Sequence, residues 1–394
     1  MRCRLLSAIA LLAFGSPVAA QNAHRVQDAA GFQRAVTAAK PGDRILLAAG
    51  DYKGNFYFKN IHGTKLKPIV IAAANPDRPP RFIGDSICLQ FAGASHLELC
   101  DLVLTGAKDN ALNIDDDGNA EKPAHHITLR NLRVTDIGPK GNCDGIKISG
   151  VDDFLVVDCK VERWGSDGSG IDMVGCHRGV LNRCSFKTGG ANAVQAKGGA
   201  AEIAILRCTF DECGDRAINA GGNTGDESFR PSLRAMPAQG KYEAKAIRIE
   251  GCTFIGGEAA IALVGVDGAI VRFNTIYQPE RYALRILQEN NGEGFLPCRN
   301  GVVENNIISF RSEKWADGLN VGPNTAAESF QFSGNLWYCE DRPDRSAPKL
   351  PVVEKDGAIG KDPLFRDAAK RDFAVKPGSP AADRGAHALP KRDK

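Results

Sequence analysis

A short phrase of alternating apolar residues recurs along most of the chain, and this repeat restricts the fold more than any other feature of the sequence. The phrase reads apolar-x-apolar-x-Asn/Cys-x-apolar, as in LELCDLVL from Leu97 and RIEGCTFI from Arg248. Its fifth residues are Asp101, Asn131, Cys159, Cys184, Cys208, Cys252, Asn274, Asn306 and Asn335. Most copies are about 22 to 30 residues apart, so a repeat has no room for a helix of ordinary length.

A second phrase lies between copies of the first and has the pattern small-apolar-x-apolar, as in GIDM from Gly170 and AINA from Ala217. Both phrases alternate with a period of two, so we expect each to form a short strand with one buried face. The repeats run head to tail and contain few Asn-Gly hairpin signals. This combination favours an all-β solenoid of parallel strands, a β-helix, over an antiparallel sandwich.

The first twenty residues have the features of a secretory signal peptide. Arg2 and Arg4 form a charged start, Leu5 to Phe14 is a short apolar run, and small residues precede a cleavage point after Ala20. The apolar run is too short to span a bilayer. We therefore expect a secreted or periplasmic protein with no membrane partner.

The fifth position of the first phrase should stack from one coil to the next at about 4.7–4.9 Å. Asn side chains in such a column hydrogen-bond to one another, and Cys fits the same narrow space as a small apolar residue. Disulfides are one interpretation of the cysteines, because the chain carries an export signal. However, stacked Cβ atoms would be farther apart than the roughly 3.8 Å of a disulfide. Of the 12 cysteines, Cys3 lies in the signal and leaves an odd number, so we expect buried free thiols.

The charge balance of the chain restricts the partners that we expect. Lys and Arg number 50 against 47 Asp and Glu, whereas a nucleic-acid binder usually has a clear basic excess. We expect a monomer without a nucleic-acid partner.

After the signal peptide at 1–20, residues 21–60 should form an N-terminal cap with a short helix and the first strands. Residues 61–339 should form the coils, and residues 340–394 a tail packed on the solenoid.

Several segments resemble a known family. PGDRILLAAGDY from Pro41, KPIVIAAANPDRPPRFIGDS from Lys67, and the C-terminal segments KDPLFRD and DFAVKPGSPAADRGA are similar to the pectin-lyase-like superfamily. The first two segments are most similar to its chondroitinase B and alginate lyase group. The resemblance implies a right-handed parallel β-helix over nearly the whole mature chain, and a polysaccharide as the substrate or partner.

The middle residue of the second phrase points outward in every repeat. These residues form a polar column, Asn113, Lys147, Asp172, Gln195, Asn219, Ala262, Arg285 and Asn320, and Lys197 lies in the next outward column. We interpret this face as a groove for a linear polymer; the alternative is the solvated face of an exposed sheet. Two long insertions, at 221–245 and 288–300, favour the groove, because long loops of a solenoid tend to overhang its binding face.

β-Elimination of a uronic acid polymer needs a cation that neutralises the carboxylate and a base that removes the α-proton. The resemblance implies that Lys197, in the segment AVQAK, is this base; the alternative is an ordinary exposed lysine. Arg285 and Asp172 complete the predicted catalytic set, Arg285 by binding carboxylate and Asp172 by orienting the lysine or binding sugar. The predicted substrate-binding residues are Lys147, Gln195, Arg216, Asn219 and Asn320.

The chain departs from the family pattern at two points. The family carries an outward Arg one coil after the lysine, where this chain has Gly221 and has Arg216 instead at the start of the strand. Ala193 and Gln195 stand where the family has acidic calcium ligands. We therefore predict no metal site, and Ca²⁺ is the one open candidate cofactor.

Two other sequence features have a metal-binding and a structural interpretation. The acids at 115–117 could hold calcium through carboxylate oxygens, but such a run is more often a solvated turn. His125, His126 and His177 lie at the starts of coils, where we expect structural roles. The sequence has no C-x-x-C pair, which disfavours structural zinc.

The function that these observations favour is a polysaccharide lyase that cleaves an acidic, uronate-containing glycan. A glycoside hydrolase in the same groove needs two carboxylates across the scissile bond. Asp172 is the only acid in the central column, and Asp144 and Asp167 lie in turns. A uronate epimerase could also use the groove. A non-catalytic glycan-binding or scaffold protein is the third alternative, although few aromatic residues lie on the strand face.

Overall fold

The computed structural model describes residues 22–138, 140–313 and 318–390, so the signal peptide predicted at 1–20 lies outside the described residues. The described chain is nearly all β, in three long parallel sheets and one two-stranded antiparallel sheet. It contains one α-helix, Ala29–Thr37, and short 3₁₀ helices at Asp226–Ser228, Ala327–Ser329, Pro343–Arg345, Ala368–Lys370 and Ala386–Ala388. No helix in these residues is both long and apolar enough to cross a membrane.

The strands of the three sheets follow one another in every coil. Sheet A contains Asn22–Val26, Asp43–Leu47, Ile69–Ala73, Ser95–Cys100, Ala124–Arg130, Val151–Val157, His177–Asn182, Ala200–Ala201, Ala204–Leu206, Ala244–Glu250, Val266–Arg272, Val302–Glu304 and Gln331–Ser333. Sheet B contains Asp51–Lys53, Arg81–Ile83, Val103–Thr105, Arg133–Thr135, Lys160–Glu162, Ser185–Gly189, Thr209–Cys213, Thr253–Ile255, Thr275–Tyr277, Ile307–Phe310, Leu336–Cys339 and Ala358–Ile359. Sheet C contains Phe56–Lys59, Leu89–Ala92, Leu112–Asp115, Ile146–Ser149, Ser169–Val174, Asn192–Lys197, Arg216–Gly221, Ala259–Val264, Tyr282–Leu287 and Gly318–Val321. The antiparallel pair is Phe365–Asp367 with Asp372–Val375.

One coil illustrates the path of the chain. Leu112–Asp115 lies in sheet C, Ala124–Arg130 in sheet A and Arg133–Thr135 in sheet B, and Ile146–Ser149 then pairs in parallel with the first of these strands. Equivalent residues of successive coils therefore stack, and their inward side chains form one continuous apolar core. This is a parallel β-helix, as the repeat predicts.

The first phrase is not a single strand, which corrects our prediction. It covers the end of a sheet A strand, a turn, and the start of a sheet B strand. A residue with left-handed backbone geometry makes the turn in each coil, for example Asp158 with φ 57° and Arg183 with φ 53°. One such residue bends the chain without ending the hydrogen bonding to the neighbouring coils, so the sequence pattern looks continuous across the bend.

The predicted stacking column also needs a correction at its first two members. Asp101 and Asn131 are the left-handed turn residues themselves. Arg133 is in register with Lys160, so Leu132 and not Asn131 stacks on Cys159. The Leu132 backbone N–H points to the Cys159 sulfur at 3.4 Å. Counting from the start of the phrase therefore misplaced these two residues by one position.

The remaining members of the column form as predicted. The eleven cysteines of the described chain are free and buried. Their thiols donate to backbone carbonyls, as Cys184 does to Val156 at 3.5 Å and Cys252 to Ile205 at 3.5 Å. Burial raises the pKa of the Cys208 thiol well above its ordinary value. Cys208 is therefore a small core residue rather than a reactive thiolate.

The asparagine end of the column is a continuous hydrogen-bond ladder. The Asn306 side-chain oxygen accepts from the Asn274 backbone N–H at 2.9 Å and from the Asn274 side-chain amide at 3.0 Å. The Asn306 amide donates to the Asn335 side-chain oxygen at 2.8 Å and to Val271 at 3.0 Å. The ladder ends on Glu354, which accepts from Asn335 at 2.6 Å.

Replacing Asn306 by alanine should destabilise the solenoid by about 2 kcal/mol, because it leaves the buried Asn274 backbone N–H without an acceptor. Urea unfolding of the wild type and the variant measures this difference. Asn119 is exposed, so Asn119→Ala is the matched control and should change the stability by less than about 0.5 kcal/mol. Equal stability of Asn306→Ala and the wild type would contradict a stabilising ladder.

The helix and the C-terminal tail both pack against the solenoid. In the helix, Phe32 and Val36 are buried, and the Phe32 ring packs edge-on against Phe56 at 5.0 Å. Its role as a cap stays a prediction. In the tail, Arg371 pairs with Asp211 of sheet B. The predicted domain boundaries also stay predictions.

Candidate functional site

Sheet C brings the predicted groove residues into one column. Backbone register pairs each of these outward residues with the next one: Tyr57, Gln90, Asn113, Lys147, Asp172, Gln195, Asn219, Ala262, Arg285 and Asn320. Lys197 pairs with Val174 in the next outward column. The roles of these residues in binding or catalysis stay a prediction.

The glycines two positions before Lys147 and Asp172 have a packing reason. A Cβ at Gly145 would lie 2.6 Å from the Gly170 carbonyl oxygen, and a Cβ at Gly170 would lie 2.7 Å from the Ala193 carbonyl oxygen. The coils therefore approach closely where sheet C begins. Ile146 and Ile148 flank Lys147 in the sequence and point to the opposite face of the strand. Both are buried in the core and hold the strand in place.

The most buried charges of this face form a cluster of three side chains. The Lys147 ammonium donates to Asp144 at 3.1 Å and to Asp172 at 2.8 Å. Asp144 is 1% exposed and Asp172 is 3% exposed. Asp144 also accepts from the Ser169 backbone N–H at 2.7 Å, which fixes its carboxylate.

Sequence reasoning missed the position of Asp144, because it assigned this residue to a turn. The structure places it at the corner before the strand, where the side chain reaches the outward residue three positions later. The same contact recurs in other coils, between Asn110 and Asn113 at 3.0 Å and between Arg216 and Asn219 at 3.0 Å. In these three coils, a polar residue three positions before the outward residue was therefore the signal that the two side chains meet.

Burial and charge shift the pKa values in the cluster. Burial, and then the neighbouring Asp172 charge, raise the pKa of Asp144, and Lys147 offsets this only in part. Burial lowers the pKa of Lys147, but the charges of Asp172 and Asp144 outweigh burial and raise it overall. Lys147 therefore remains an ammonium ion that is already paired with two carboxylates.

Lys197 lies next to the free side of this cluster. Its ammonium nitrogen is 3.9 Å from Oδ1 of Asp172, and this buried oxygen has no hydrogen-bond partner in the described structure. The Lys197 side chain is 27% exposed, so it faces both Asp172 and solvent. Asp172 therefore lies close enough to orient the lysine, and that role stays a prediction.

Two guanidinium groups lie farther along the groove. Arg216 donates to Glu289 at 2.8 Å, and Arg285 donates to Asn320 at 3.0 Å. Burial, and then the charge of Arg216, lower the pKa of Arg285. The strand of Arg216 follows that of Lys197 by one coil, whereas Arg285 lies three coils away, about 14 Å at the usual strand spacing. Arg216 is in register with Asn192, which lies five residues, or about 16 Å, before Lys197 along the strand. The backbone positions of both arginines are therefore more than about 10 Å from that of Lys197.

Glu243 joins the two long insertions beside Lys197, and sequence reasoning missed it. It is fully buried and accepts from the Thr224 hydroxyl at 2.7 Å and from the Asn290 amide at 2.9 Å. It also accepts from the Gly198 backbone N–H at 3.3 Å. One carboxylate therefore fixes both loops to the end of the Lys197 strand, and no sequence pattern distinguishes it from other acids.

A second buried cluster anchors the first insertion. Arg230 forms an ion pair with Asp152 and donates to the Gly175 carbonyl at 2.7 Å. His177 lies 3.3 Å from the same carboxylate. Burial raises the pKa of Asp152, but the hydrogen bonds from His177 and Arg230 outweigh it and lower the pKa overall. This geometry fits the structural role predicted for His177.

Replacing Asp152 by asparagine should cost about 2 kcal/mol at pH 7, because Arg230 loses its buried counter-charge. A carboxylate with a lowered folded-state pKa stabilises the fold above its unfolded pKa of about 3.9, and this contribution is lost as the pH falls below that value. The difference between variant and wild type should therefore fade below about pH 4. Thermal unfolding across this range measures it, and a difference independent of pH would contradict the ion-pair role.

The acidic run at 115–117 takes part in local contacts. Asp117 pairs with Lys59 at 2.7 Å, and Asp115 accepts from Gln90 at 3.0 Å. Within the described residues, the side chains that converge closely enough to hold a metal ion are instead His96, His125 and His126.

Comparison with known proteins identifies the fold. No protein-family model and no curated protein sequence matches the chain. Among solved structures, an alginate lyase from Paenibacillus sp. str. FPU-7 is similar with a TM-score of 0.52 and 17% identity, over 76% of this chain and 97% of the lyase. A rhamnogalacturonan lyase is similar with a TM-score of 0.54 and 15% identity, over 90% and 99%.

A third similar structure is a GH136 lacto-N-biosidase from Eubacterium ramulus, with a TM-score of 0.53 and 12% identity, over 86% of this chain and 68% of that protein. At such low identities, likeness of backbone shows the fold and leaves the activity open. Together with the three parallel sheets, these comparisons show that the chain has a pectin-lyase-like parallel β-helix fold.

Proposed function

We propose that this protein is a polysaccharide lyase that cleaves an acidic, uronate-containing glycan by β-elimination in the groove on sheet C. The observation that carries the proposal is the position of the Lys197 ammonium nitrogen, 3.9 Å from the Asp172 oxygen that has no hydrogen-bond partner. Asp172 belongs to the column of polar residues on sheet C, and Lys197 lies beside that column. Two similar structures are an alginate lyase and a rhamnogalacturonan lyase, which supports this reaction class. The signal peptide predicted from the sequence suits an enzyme that meets its polymer outside the cell.

In the proposed reaction, Lys197 acts as the base. It takes the proton from the carbon next to the uronate carboxylate, and the electrons of that C–H bond form the new carbon–carbon double bond. The bond from the next carbon to the glycosidic oxygen breaks, and this oxygen leaves with the bonding electrons and takes a proton from water. A guanidinium group of the groove, Arg285 or the Glu289-paired Arg216, would stabilise the negative charge that develops on the carboxylate.

The rest of the column would bind the polymer. Gln195 and Asn320 are partly exposed and carry amides that can bond to sugar hydroxyls. Asn219 is buried and accepts a hydrogen bond from Arg216, so its part would be to position that arginine. Arg285 has no carboxylate partner among the described ion pairs, so it can bind the carboxylate of a neighbouring sugar. Lys147 already pairs with Asp144 and Asp172, and its main role would be to fix Asp172.

A glycoside hydrolase is the second candidate, because Asp144 and Asp172 both accept a hydrogen bond from the Lys147 ammonium and the pKa of Asp144 is raised. A raised pKa is what a general acid needs. Against this, both carboxylates are almost fully buried, whereas a hydrolase needs two carboxylates that face the scissile bond from either side. An epimerase would share the proton abstraction, and a non-catalytic binder would use the same column without chemistry.

A substrate screen tests the proposal. The purified protein is incubated with alginate, pectate, glycosaminoglycans and neutral glycans, with and without calcium, and ultraviolet absorbance and new reducing ends are followed together. A lyase gives both signals on an acidic polymer, because elimination creates an unsaturated uronate. Reducing ends without absorbance would instead support the hydrolase, and no signal on any polymer would support the binder.

A further inference from the structure

We propose that His96, His125 and His126 form a binding site for a divalent late transition metal ion such as Zn²⁺ on the outside of sheet A. One ring nitrogen from each imidazole lies within 4.8 Å of the others. The closest pair, Nδ1 of His125 and Nδ1 of His126, is 2.8 Å apart. Three nitrogens around tetrahedral zinc are about 3.3 Å apart, given bonds of about 2.0–2.1 Å, so small ring rotations suffice.

The backbone explains why consecutive histidines converge. Neighbouring residues of a strand normally point to opposite faces. His126 has left-handed geometry, with φ 55°, and this brings its ring to the same side as that of His125. Ile127 is in register with Leu97, so His96, with φ 48°, occupies the same position one coil earlier. The centres of the His96 and His126 rings are 4.4 Å apart.

The surroundings of the three rings favour a metal over another role. Two other histidines, His24 and His177, pair with carboxylates, whereas no described ion pair involves the three clustered rings.

The donor set indicates the class of ion. Three imidazole nitrogens suit Zn²⁺, Cu²⁺, Ni²⁺ and Co²⁺, whereas Ca²⁺ and Mg²⁺ prefer oxygen ligands. His125 also lines a surface cavity of about 610 Å³, whose other walls include His62, Ser95 and Asp116. His126 is exposed, so solvent can supply the fourth ligand of a tetrahedral site. The site lies on a different sheet from the groove, so it does not depend on the proposed lyase activity.

Calorimetric titration of the chelator-treated, dialysed protein with Zn²⁺ or Co²⁺ tests this site. We expect one ion per chain, visible absorption bands of tetrahedral Co²⁺, and a rise in melting temperature with Zn²⁺. His96→Ala and His126→Ala should each weaken binding by about 100-fold or more, since even loss of an outer partner of a ligand costs about 10- to 100-fold. Circular dichroism of each metal-free variant establishes that it is folded.

His24→Ala is the matched control, because His24 is half-exposed on the same sheet and lies outside the cluster. It should bind Zn²⁺ as the wild type does, and excess Ca²⁺ should not displace Co²⁺. The proposal is wrong if the wild type binds neither metal, if folded His96→Ala and His126→Ala bind as tightly as the wild type, or if His24→Ala loses as much affinity as they do.

Discussion

Lys197→Ala should lower the cleavage rate of the accepted polymer by about 1,000-fold, because a positioned general base contributes about 100- to 10,000-fold. The loss should appear mainly in kcat, since the lysine acts on the reacting proton and the rest of the column still binds the polymer. Initial rates of ultraviolet absorbance against substrate concentration give both constants. The side chain is 27% exposed and pairs only loosely with Asp172, so the variant should fold normally.

Lys160→Ala is the matched control for this variant, because Lys160 is an exposed lysine on sheet B and points away from the groove. It should retain the wild-type kcat and KM. A folded Lys197→Ala variant that keeps the wild-type kcat would remove Lys197 from the mechanism. A change in KM alone would mean that Lys197 binds the polymer and that the base is another group.

Lys147→Ala should destabilise the protein by about 3 kcal/mol, because it leaves the buried Asp144 without a cation and Asp172 with only its looser contact to Lys197. Asp144 and Asp172 would then repel each other at 1% and 3% exposure. The pKa of Asp144 is already raised by burial and by Asp172, and without the lysine it should rise further. Carboxyls with a raised folded-state pKa cost stability at neutral pH and cost progressively less as they protonate.

The destabilisation by Lys147→Ala should therefore be largest near pH 7 and shrink as the pH falls toward the range where Asp144 protonates. Chemical unfolding at neutral and acidic pH measures this dependence, with Lys160→Ala again as the control. A loss of less than about 0.5 kcal/mol at pH 7 would mean that the cluster contributes nothing beyond an ordinary surface ion pair. A loss that grows on acidification would contradict the repulsion expected between the two carboxylates.

The repeat and the outward column were predictable from the sequence because both depend on side-chain alternation. A strand with a buried face needs apolar residues at every second position, as Ile146 and Ile148 show on either side of Lys147. The split of the first phrase between sheets A and B was not predictable in this way. It depends on one left-handed residue in each coil, and residues as different as Asp158 and Arg183 adopt that conformation.

The contacts between coils limited the prediction of the site. The residues of the central column were found from spacing alone, but the position of Asp144 depends on how the corner before sheet C folds back onto Lys147. Glu243 depends on two insertions that are far apart in the chain and meet at one carboxylate. The convergence of His96 with His126 likewise follows from coil register, which sets neighbours about 30 residues apart side by side.

The claim that the protein cleaves by β-elimination is tested most directly in heavy-oxygen water, with the polymer that it cleaves in the substrate screen. Elimination breaks the glycosidic bond without adding water, so the new chain end should carry an unsaturated uronate and no label from the solvent. Hydrolysis adds one solvent oxygen at each cut. Mass spectrometry of the products should show unlabelled ends that each lack one water relative to hydrolysis products, and a labelled, saturated end would contradict the lyase account.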